Sequence, residues 1–498
     1  MKTIRRLKPN LTRNDALAAL SSGLLLAAVF PPWQQAWLIA IALTPVLMRA
    51  LGNDRLSCAW LGFLTGVVYH LTSLYWIAWA TLPGMIVLSV YLSLWFLLPF
   101  LALAHPGRFW LKTLAFALVW WLVEWIRTQG VMSFSWGFLG HAYYQTSAMR
   151  QAVDWLGVSA MSLLIAGFNA GVALAVKEAF GHAGNLRAGL KHPRQPAGST
   201  VSVLLCATIL IIAQFIYGYT KQVQAPPKAA PYRVALIQGG FTLAQKSALS
   251  IEEILAHYLE LSQQALDSQP DLIIWPESTI PYPLNWWPDG LERIWTFVNE
   301  NDVELLTGCI HGVETEGAAA YYNRAWLFSP ETMPLTPTGL DAVQRYDKVH
   351  LVPYGEWIPL GAYWPFYHIE TLIEEAGAGL FERGSRVRLF ETRAGHRFSV
   401  MICFESTLAW HSRQAKQQGA DFLVNITYDA WFGRSAGLRQ HLLQSQYRAA
   451  ETGLPLLRAA NSGITGEINR RGQLIGRLPI YEPGYYLAQL RLPPPKRE

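Results

Sequence analysis

The chain has 498 residues, of which 52% are apolar and only 15% charged, with 21 tryptophans and a formal net charge of +6. Length alone suggests roughly three soluble domains of about 150 residues, but that apolarity excludes an entirely soluble protein. The positive balance does not point to nucleic acid, because most of it lies in short loops between apolar stretches of the first half.

Residues 1–222 carry seven such stretches, at about 15–31, 36–51, 56–78, 84–104, 109–126, 155–176 and 200–220. Most approach the roughly 20 residues that cross a hydrocarbon core about 30 Å thick. The predicted element is a bundle of seven transmembrane helices. Lys2, Arg5, Arg6 and Lys8 before the first stretch suggest a signal peptide, but Pro31 and Pro32 follow it with no small-residue cleavage site, so the first helix is expected to be retained. Alternate loops divide the charge unevenly. Lys2, Arg5, Arg6, Lys8, Arg13, Arg49, Arg55, Arg108, Lys112, Lys177, Arg187, Lys191 and Arg194 fall on one side, and Arg127 and Arg150 on the other. Thirteen against two places the amino terminus in the cytoplasm. An odd number of crossings then delivers everything after Tyr219 to the far side, the periplasm of a double-membrane bacterium. Glu124 and Arg127 share a helix face as an expected ion pair, anchoring or functional. The uncharged segment SLYWIAWATLPG (73–84) is expected at the outer interface as an aromatic belt or, alternatively, a lipid-entry surface.

After a proline-rich linker at 223–231, the pattern changes to alternating strands and helices. Strands are predicted at 232–240, 271–278, 303–312, 322–329 and 398–406, with 345–357 a strand running into a loop. A further strand follows at 421–427, and 454–476 reads as strand, turn, strand. Ser250 and Glu253 form a capping box for a helix to about Ser268. A helix to about Gln418 should follow Thr407, and another should cover 438–452. This is a soluble mixed α/β domain at 232–492, followed by a short tail at 493–498.

Three apolar strands end on a single ionisable residue: Glu277 in IIWPES, Lys348 in RYDKVHLVPYGEW and Cys403 in SVMICFEST. A thiol is only a few per cent thiolate at neutral pH and needs a base, which an enclosed carboxylate can supply. The tetrahedral oxyanion of acyl transfer needs fixed donors or positive charge, which a lysine and a backbone N–H can supply. Each residue alone reads equally as a core thiol or a solvated strand-end charge; together they form an acyl-transfer set. Cys309 reads as a core residue, and Cys58 and Cys206 lie within spans. No spacing resembles a metal site and no glycine-rich phosphate loop is present, so no cofactor, metal or nucleic-acid partner is expected.

The segments IIWPES, YDKVHLVPYGEWIP and ICFES, in that order, resemble the signatures of the nitrilase (carbon–nitrogen hydrolase) superfamily, which implies an αββα sandwich. With the multi-span first half, VEWIR (123–127), SWGFLGHAYYQ (135–145), IQGG (237–240), YYNRA (321–325) and the segment 425–466, the chain resembles the apolipoprotein N-acyltransferase family along nearly its whole length. The resemblance implies Cys403 as nucleophile, Glu277 as base and later acid, and Lys348 as stabiliser of the oxyanion. It also implies Glu356 and Glu405 as supporting carboxylates and Phe404 as a source of a backbone N–H and an apolar wall. Glu405 reads equally as a carboxylate at a helix amino terminus. The implied partners are a phospholipid acyl donor, a diacylated apolipoprotein acceptor and the bilayer. The implied setting is a monomer in the bacterial inner membrane. Aromatic loops at 281–290 (Trp286, Trp287), 357–373 and 428–433 suit a water–lipid interface or simply cover the core. The sequence departs from the family pattern after YYLAQLRL, where PPPKRE stands in place of an expected final transmembrane helix. Competing readings are a membrane-tethered amidase acting on a small amide and a non-catalytic lipid-binding scaffold.

Overall fold

The computed structural model describes residues 9–180, 195, 197–223, 230–315, 318–330, 339–359 and 380–494. The chain forms two compact units. One comprises Met1–Gln129, Ser135–Gln224 and Arg434–Leu443, and the other Gly130–Phe134, Ala225–Gly433 and Gln444–Glu498.

The first unit is helical. Its helices are α1 (Arg13–Val29), α2 (Thr44–Ala50), α3 (Arg55–Ser73), α4 (Leu82–Leu94), α5 (Leu97–Leu103), α6 (Phe109–Ile126), α7 (Ser147–Gln151), α8 (Val153–Phe180) and α9 (Gly198–Val223). Each of the seven apolar stretches carries at least one of them. Four helical segments among the described residues are long and apolar enough to cross a membrane: Leu82–Leu103, Phe109–Ile126, Val153–Phe180 and Gly198–Val223. Local chemistry sets the starts. Thr12 and Asp15 form a capping box for α1, and the Asp54 carboxylate accepts from the N–H groups of Leu56 and Ser57, both at 3.0 Å, to open α3. Gly157, at φ 72°, breaks α8 one turn in.

Glu124 and Arg127 both reach the turn at 136–139. Glu124 accepts from Trp120 Nε1 at 2.9 Å and Leu139 N at 3.1 Å, while Arg127 donates to the Trp136 carbonyl and lies over Phe138. In the aromatic segment Trp79 is 71% exposed, but Trp76 is buried and donates to Gln440. Gln440 also accepts from Trp136 Nε1 and donates to the carbonyls of Pro31 and Ser73. Four groups from three distant segments thus close on one side chain whose amide is fully used. The charged residues expected at 2–8 and 187–194 lie outside the described residues.

The second unit holds two sheets. In the first the order is β13 (Gly484–Leu492), β1 (Ala230–Gln238), β2 (Leu272–Ile274), β4 (Glu304–Thr315), β5 (Ala318–Phe328) and β6 (Gln344–Asp347), with β3 (Ile280–Pro283) beside β4. In the second it is β12 (Leu474–Arg477), β11 (Gly466–Ile468), β10 (Leu456–Ala460), β9 (Phe422–Thr427), β8 (Arg397–Ile402) and β7 (Leu389–Glu391). The central pairs β1–β2, β2–β4, β8–β9 and β9–β10 are parallel. Their near-continuous apolar runs follow from burial on both faces. Val234, Leu236, Leu272 and Ile274 meet Val400, Ile402, Val424 and Ile426 in a core between the sheets. The alternate residues Ala235, Ile237, Ile273 and Trp275 pack outward. There they meet α11 (Ile251–Leu266) and α12 (Pro288–Glu300); a shorter helix, α10 (Leu243–Ala248), precedes α11. On the second sheet lie α13 (Ala409–Gln417) and α14 (Ala436–Thr452), the latter through Ser445, which bonds Asn425 and Arg458.

The capping box at Ser250 forms as read, with Ser250 Oγ accepting from Glu253 N. Several boundaries differ for local reasons. The strand predicted to 278 stops at Ile274 because Pro276 lacks a ladder donor. The strand predicted over 345–357 is only four residues long before the chain turns away. A tight 3-10 turn, Cys403–Thr407, delays the helix expected at Thr407 until Ala409. The segment 454–476 holds three strands instead of two. The loop expected at 281–290 holds β3 and the start of α12. Its Trp287 packs on the core and Trp286 meets Tyr321 edge-on, both half-buried. Most of the linker, most of the aromatic loop at 357–373 and the last four residues lie outside the described residues.

Candidate active site

The site is built at the carboxyl ends of β2, β8 and β9, where parallel strands leave their final groups unpaired and turns can project side chains. Glu277 follows β2 through Trp275 and Pro276. Gly308 on β4 lies so close that a Cβ there would stand 2.8 Å from the Glu277 Cα, so only glycine lets the two backbones approach. Lys348 follows β6, and its own N–H donates to the Asn323 carbonyl of β5 at 2.9 Å. Cys403 follows β8 at φ 52°, a left-handed conformation that is uncommon outside glycine. Such a sharp strand exit is the geometry that presents a nucleophile at a turn.

The side chains meet. Lys348 is 1% exposed; its Nζ lies 2.7 Å from Glu356 Oε1 and 3.5 Å from Glu277 Oε1. Asn323 Nδ2 bridges the same two carboxylates at 2.8 Å and 3.2 Å. The other oxygen of Glu277 accepts from Tyr428 N at 2.8 Å, and that of Glu356 from Val352 N at 2.8 Å. Each carboxylate is therefore held at both oxygens.

Glu405 is fully buried and ties two segments together. Its Oε2 accepts from Ile402 N at 2.9 Å, and its Oε1 from Val349 N, His350 N and Tyr346 Oη at 2.8, 3.0 and 2.7 Å. Its hydrogen bonds reach back to the strand before Cys403 and across to the chain after Lys348, while Oε2 also lies 3.8 Å from His411 Nε2 on α13. Phe404 stacks between His350 and Phe134, at 5.8 Å from each ring. Behind the corner, Asn425 Nδ2 donates to the Met401 carbonyl at 2.9 Å, and the buried Asp429 accepts from Arg458 at 2.6 Å.

Comparison with known proteins bears directly on this arrangement. The carbon-nitrogen hydrolase family model matches residues 233–492, and that of the apolipoprotein N-acyltransferase N-terminal domain matches residues 22–171. A protein of Geobacter metallireducens named apolipoprotein N-acyltransferase is 33% identical, over 96% of this chain and 90% of that one. The chain belongs to the apolipoprotein N-acyltransferase family. A Vibrio vulnificus protein of the same name is 28% identical over 95% of this chain and 90% of its own. Among solved structures, an amidase of the nitrilase superfamily from Nesterenkonia AN1 is 19% identical, with a TM-score of 0.38 over 53% of this chain and 92% of that one. As a member of the apolipoprotein N-acyltransferase family the protein is a membrane acyltransferase.

Electrostatics in this member of the family are set by burial and by the two carboxylates. Burial works against the charge of Lys348, but Glu356, Glu277 and Cys403 outweigh it and hold the ammonium above the ordinary lysine range. Burial raises the Cys403 thiol well above its usual value; Glu277 adds to this and Lys348 opposes it. The surroundings therefore favour the protonated thiol. Burial lowers His350, to about 4, so its ring beside Phe404 is neutral.

Reading the sequence did not single out Asn323, Asn425, Asp429 or Lys246. Asn323 lies inside YYNRA and Asp429 inside YDAWFG, both noticed as segments, but a neutral amide or a lone aspartate carries no signal of its own. Only the sheet neighbours of β5 and β9 reveal what they hold.

Proposed function

We propose that the protein transfers a fatty acyl chain from a phospholipid to the α-amine of a diacylglyceryl-cysteine at the head of an apolipoprotein, through a thioester on Cys403. The carrying observation is a buried lysine held at 2.7 Å and 3.5 Å by two carboxylates, beside a cysteine at a left-handed strand exit. Glu277 takes the thiol proton as Sγ attacks the ester carbonyl. The oxyanion faces the Lys348 ammonium and the Phe404 N–H. Collapse expels the lysophospholipid alkoxide, which receives the proton from Glu277, and the thioester remains. In the second half-reaction Glu277 takes a proton from the acceptor amine, the nitrogen attacks the thioester carbonyl, and the departing thiolate is reprotonated by Glu277. Glu356 fixes Lys348, and Glu405 fixes the turn around Cys403.

The two substrates are membrane-anchored, which gives a physical reason for joining apolar helices to this hydrolase-like unit. The seven apolar stretches support seven crossings by residues 1–222 in the inner membrane, with 223–231 as a linker, and the loop charges support a periplasmic catalytic domain, 232–492; we take the chain to act as a monomer. The test is intact-mass measurement after incubation with phospholipid alone. One acyl adduct is expected, mapping to Cys403, discharged by a diacylated lipopeptide with a free amine and retained with a blocked one. Acylated lipopeptide formed by a Cys403→Ala variant would overturn the covalent route.

A further inference from the structure

A second buried lysine lies next to the site and takes no part in the steps above. Lys246 sits on α10, opened by a capping box between Thr242 and Gln245, and is 6% exposed. Surface lysines lay the stem on apolar neighbours and keep the ammonium in water. Here the ammonium is enclosed as well. It donates to the Ser278 carbonyl and lies over the Tyr428 ring, 4.3 Å from its centroid. An enclosed ammonium without a carboxylate bonded to it is costly to desolvate, so its retention calls for a reason.

Both contacts lead to Glu277. Ser278 is the next residue, and its backbone is left-handed at φ 48°, a conformation that persists only where surrounding contacts enforce it. Tyr428 supplies the N–H that holds Glu277 Oε2 at 2.8 Å. One ammonium therefore grips the backbone that carries the carboxylate and the residue that orients it. The titratable groups facing it are Glu277 after β2, Cys309 on β4 and Tyr428 after β9; α10 itself adds none.

We propose that Lys246 is a positioning residue for Glu277, holding the base in the orientation from which it takes the Cys403 proton. This rests on Glu277 being that base. Burial lowers Lys246 to about 7, with Cys309 and Glu277 opposing, so its grip is strongest on the acid side of neutrality and weakens above it.

The test uses the full-length protein in detergent and iodoacetamide as a probe that needs no lipid. Sγ displaces iodide while its proton passes to Glu277, and carbamidomethylation of the Cys403 peptide is measured against pH by mass spectrometry. Lys246→Met should slow alkylation at neutral pH by roughly tenfold and move its rise to higher pH. Lys246→Arg, which keeps the charge, should recover much of the rate. In a Glu277→Gln background, Lys246→Met should cause no further loss, because the partner through which it acts is gone. A folded Lys246→Met protein with the wild-type rate and profile would overturn the proposal. So would a further tenfold loss on top of Glu277→Gln. Thermal unfolding establishes folding. If Lys246→Met does not fold, Lys246→Gln, a neutral donor to the Ser278 carbonyl, is judged by the same outcomes. Wild-type alkylation by Glu277→Gln alone would instead refute the assignment of Glu277 as base.

Discussion

Glu405→Gln isolates the role of the carboxylate that ties the Lys348 segment to the Cys403 corner. The change keeps the shape but replaces one oxygen with NH2. With the amide oxygen turned toward Val349 N, His350 N and Tyr346 Oη, three of the four bonds survive without their charge assistance. The NH2 then faces Ile402 N, now 2.9 Å from the carboxylate, donor against donor. A buried backbone donor left unpaired costs about 1–3 kcal/mol. At about 2 kcal/mol, a domain spanning 233–492 should lose roughly 4–8 °C in Tm. Ile402 immediately precedes the left-handed Cys403, so relaxation there also misplaces Sγ, and a displacement of about 1 Å costs on the order of a hundredfold in rate. The assay pairs thermal unfolding with single-turnover acyl-enzyme formation followed by intact mass. Melting within about one degree of wild type, together with an unchanged acylation rate, would refute the argument that Glu405 fixes the turn.

Further outcomes follow from the same geometry. Lys348→Arg should lose at least about a hundredfold in acylation rate despite keeping the charge, because a planar fork does not fit a fully buried point-charge site between Glu277 and Glu356; single-turnover kinetics check this. Asn323→Ala removes one donor shared by the two carboxylates and should slow acylation by about tenfold. Asn323→Asp should be worse, since it sets a third carboxylate beside Glu277 and Glu356, and comparing the two variants in one assay decides the point. His411 is buried and its pKa is lowered by that burial to about 3, below the unfolded value of about 6.5. Between those values the unfolded chain binds the extra proton. The contribution of His411 to stability is therefore complete above about pH 6.5 and is lost as pH falls, at up to about 1.4 kcal/mol per pH unit. Tm measured from neutral toward acidic pH should fall less steeply in a folded His411→Gln protein than in wild type. For topology, reporter fusions after Leu190 should read as cytoplasmic and those after Gln224 as periplasmic; both on one side would remove the odd number of crossings.

What the sequence determined by itself is local or periodic. Apolar length marks where the helices of the first unit lie, because a bilayer demands a long run of apolar residues, and four helical segments among the described residues meet that length. Alternation and caps place the main strands and α11, since Ser250 and Glu253 satisfy helix donors within four residues of each other. Glu277, Lys348 and Cys403 were legible because each is a lone ionisable group at the end of an apolar run. Tertiary structure decided how those ends converge and what holds them. Gly308 against the Glu277 backbone, Asn323 across two carboxylates, and Glu405 between Ile402 and His350 join positions from about 30 to more than 50 residues apart. Short neutral or commonplace side chains acquire meaning only when the sheet order makes them neighbours. The same holds for Gln440, whose amide closes on Pro31, Ser73, Trp76 and Trp136, and for Lys246, whose position behind Glu277 depends on α10 lying beside the turns after β2 and β9. Hydrogen-bond satisfaction in a closed interior is a property of the assembled fold, and no window of sequence contains it.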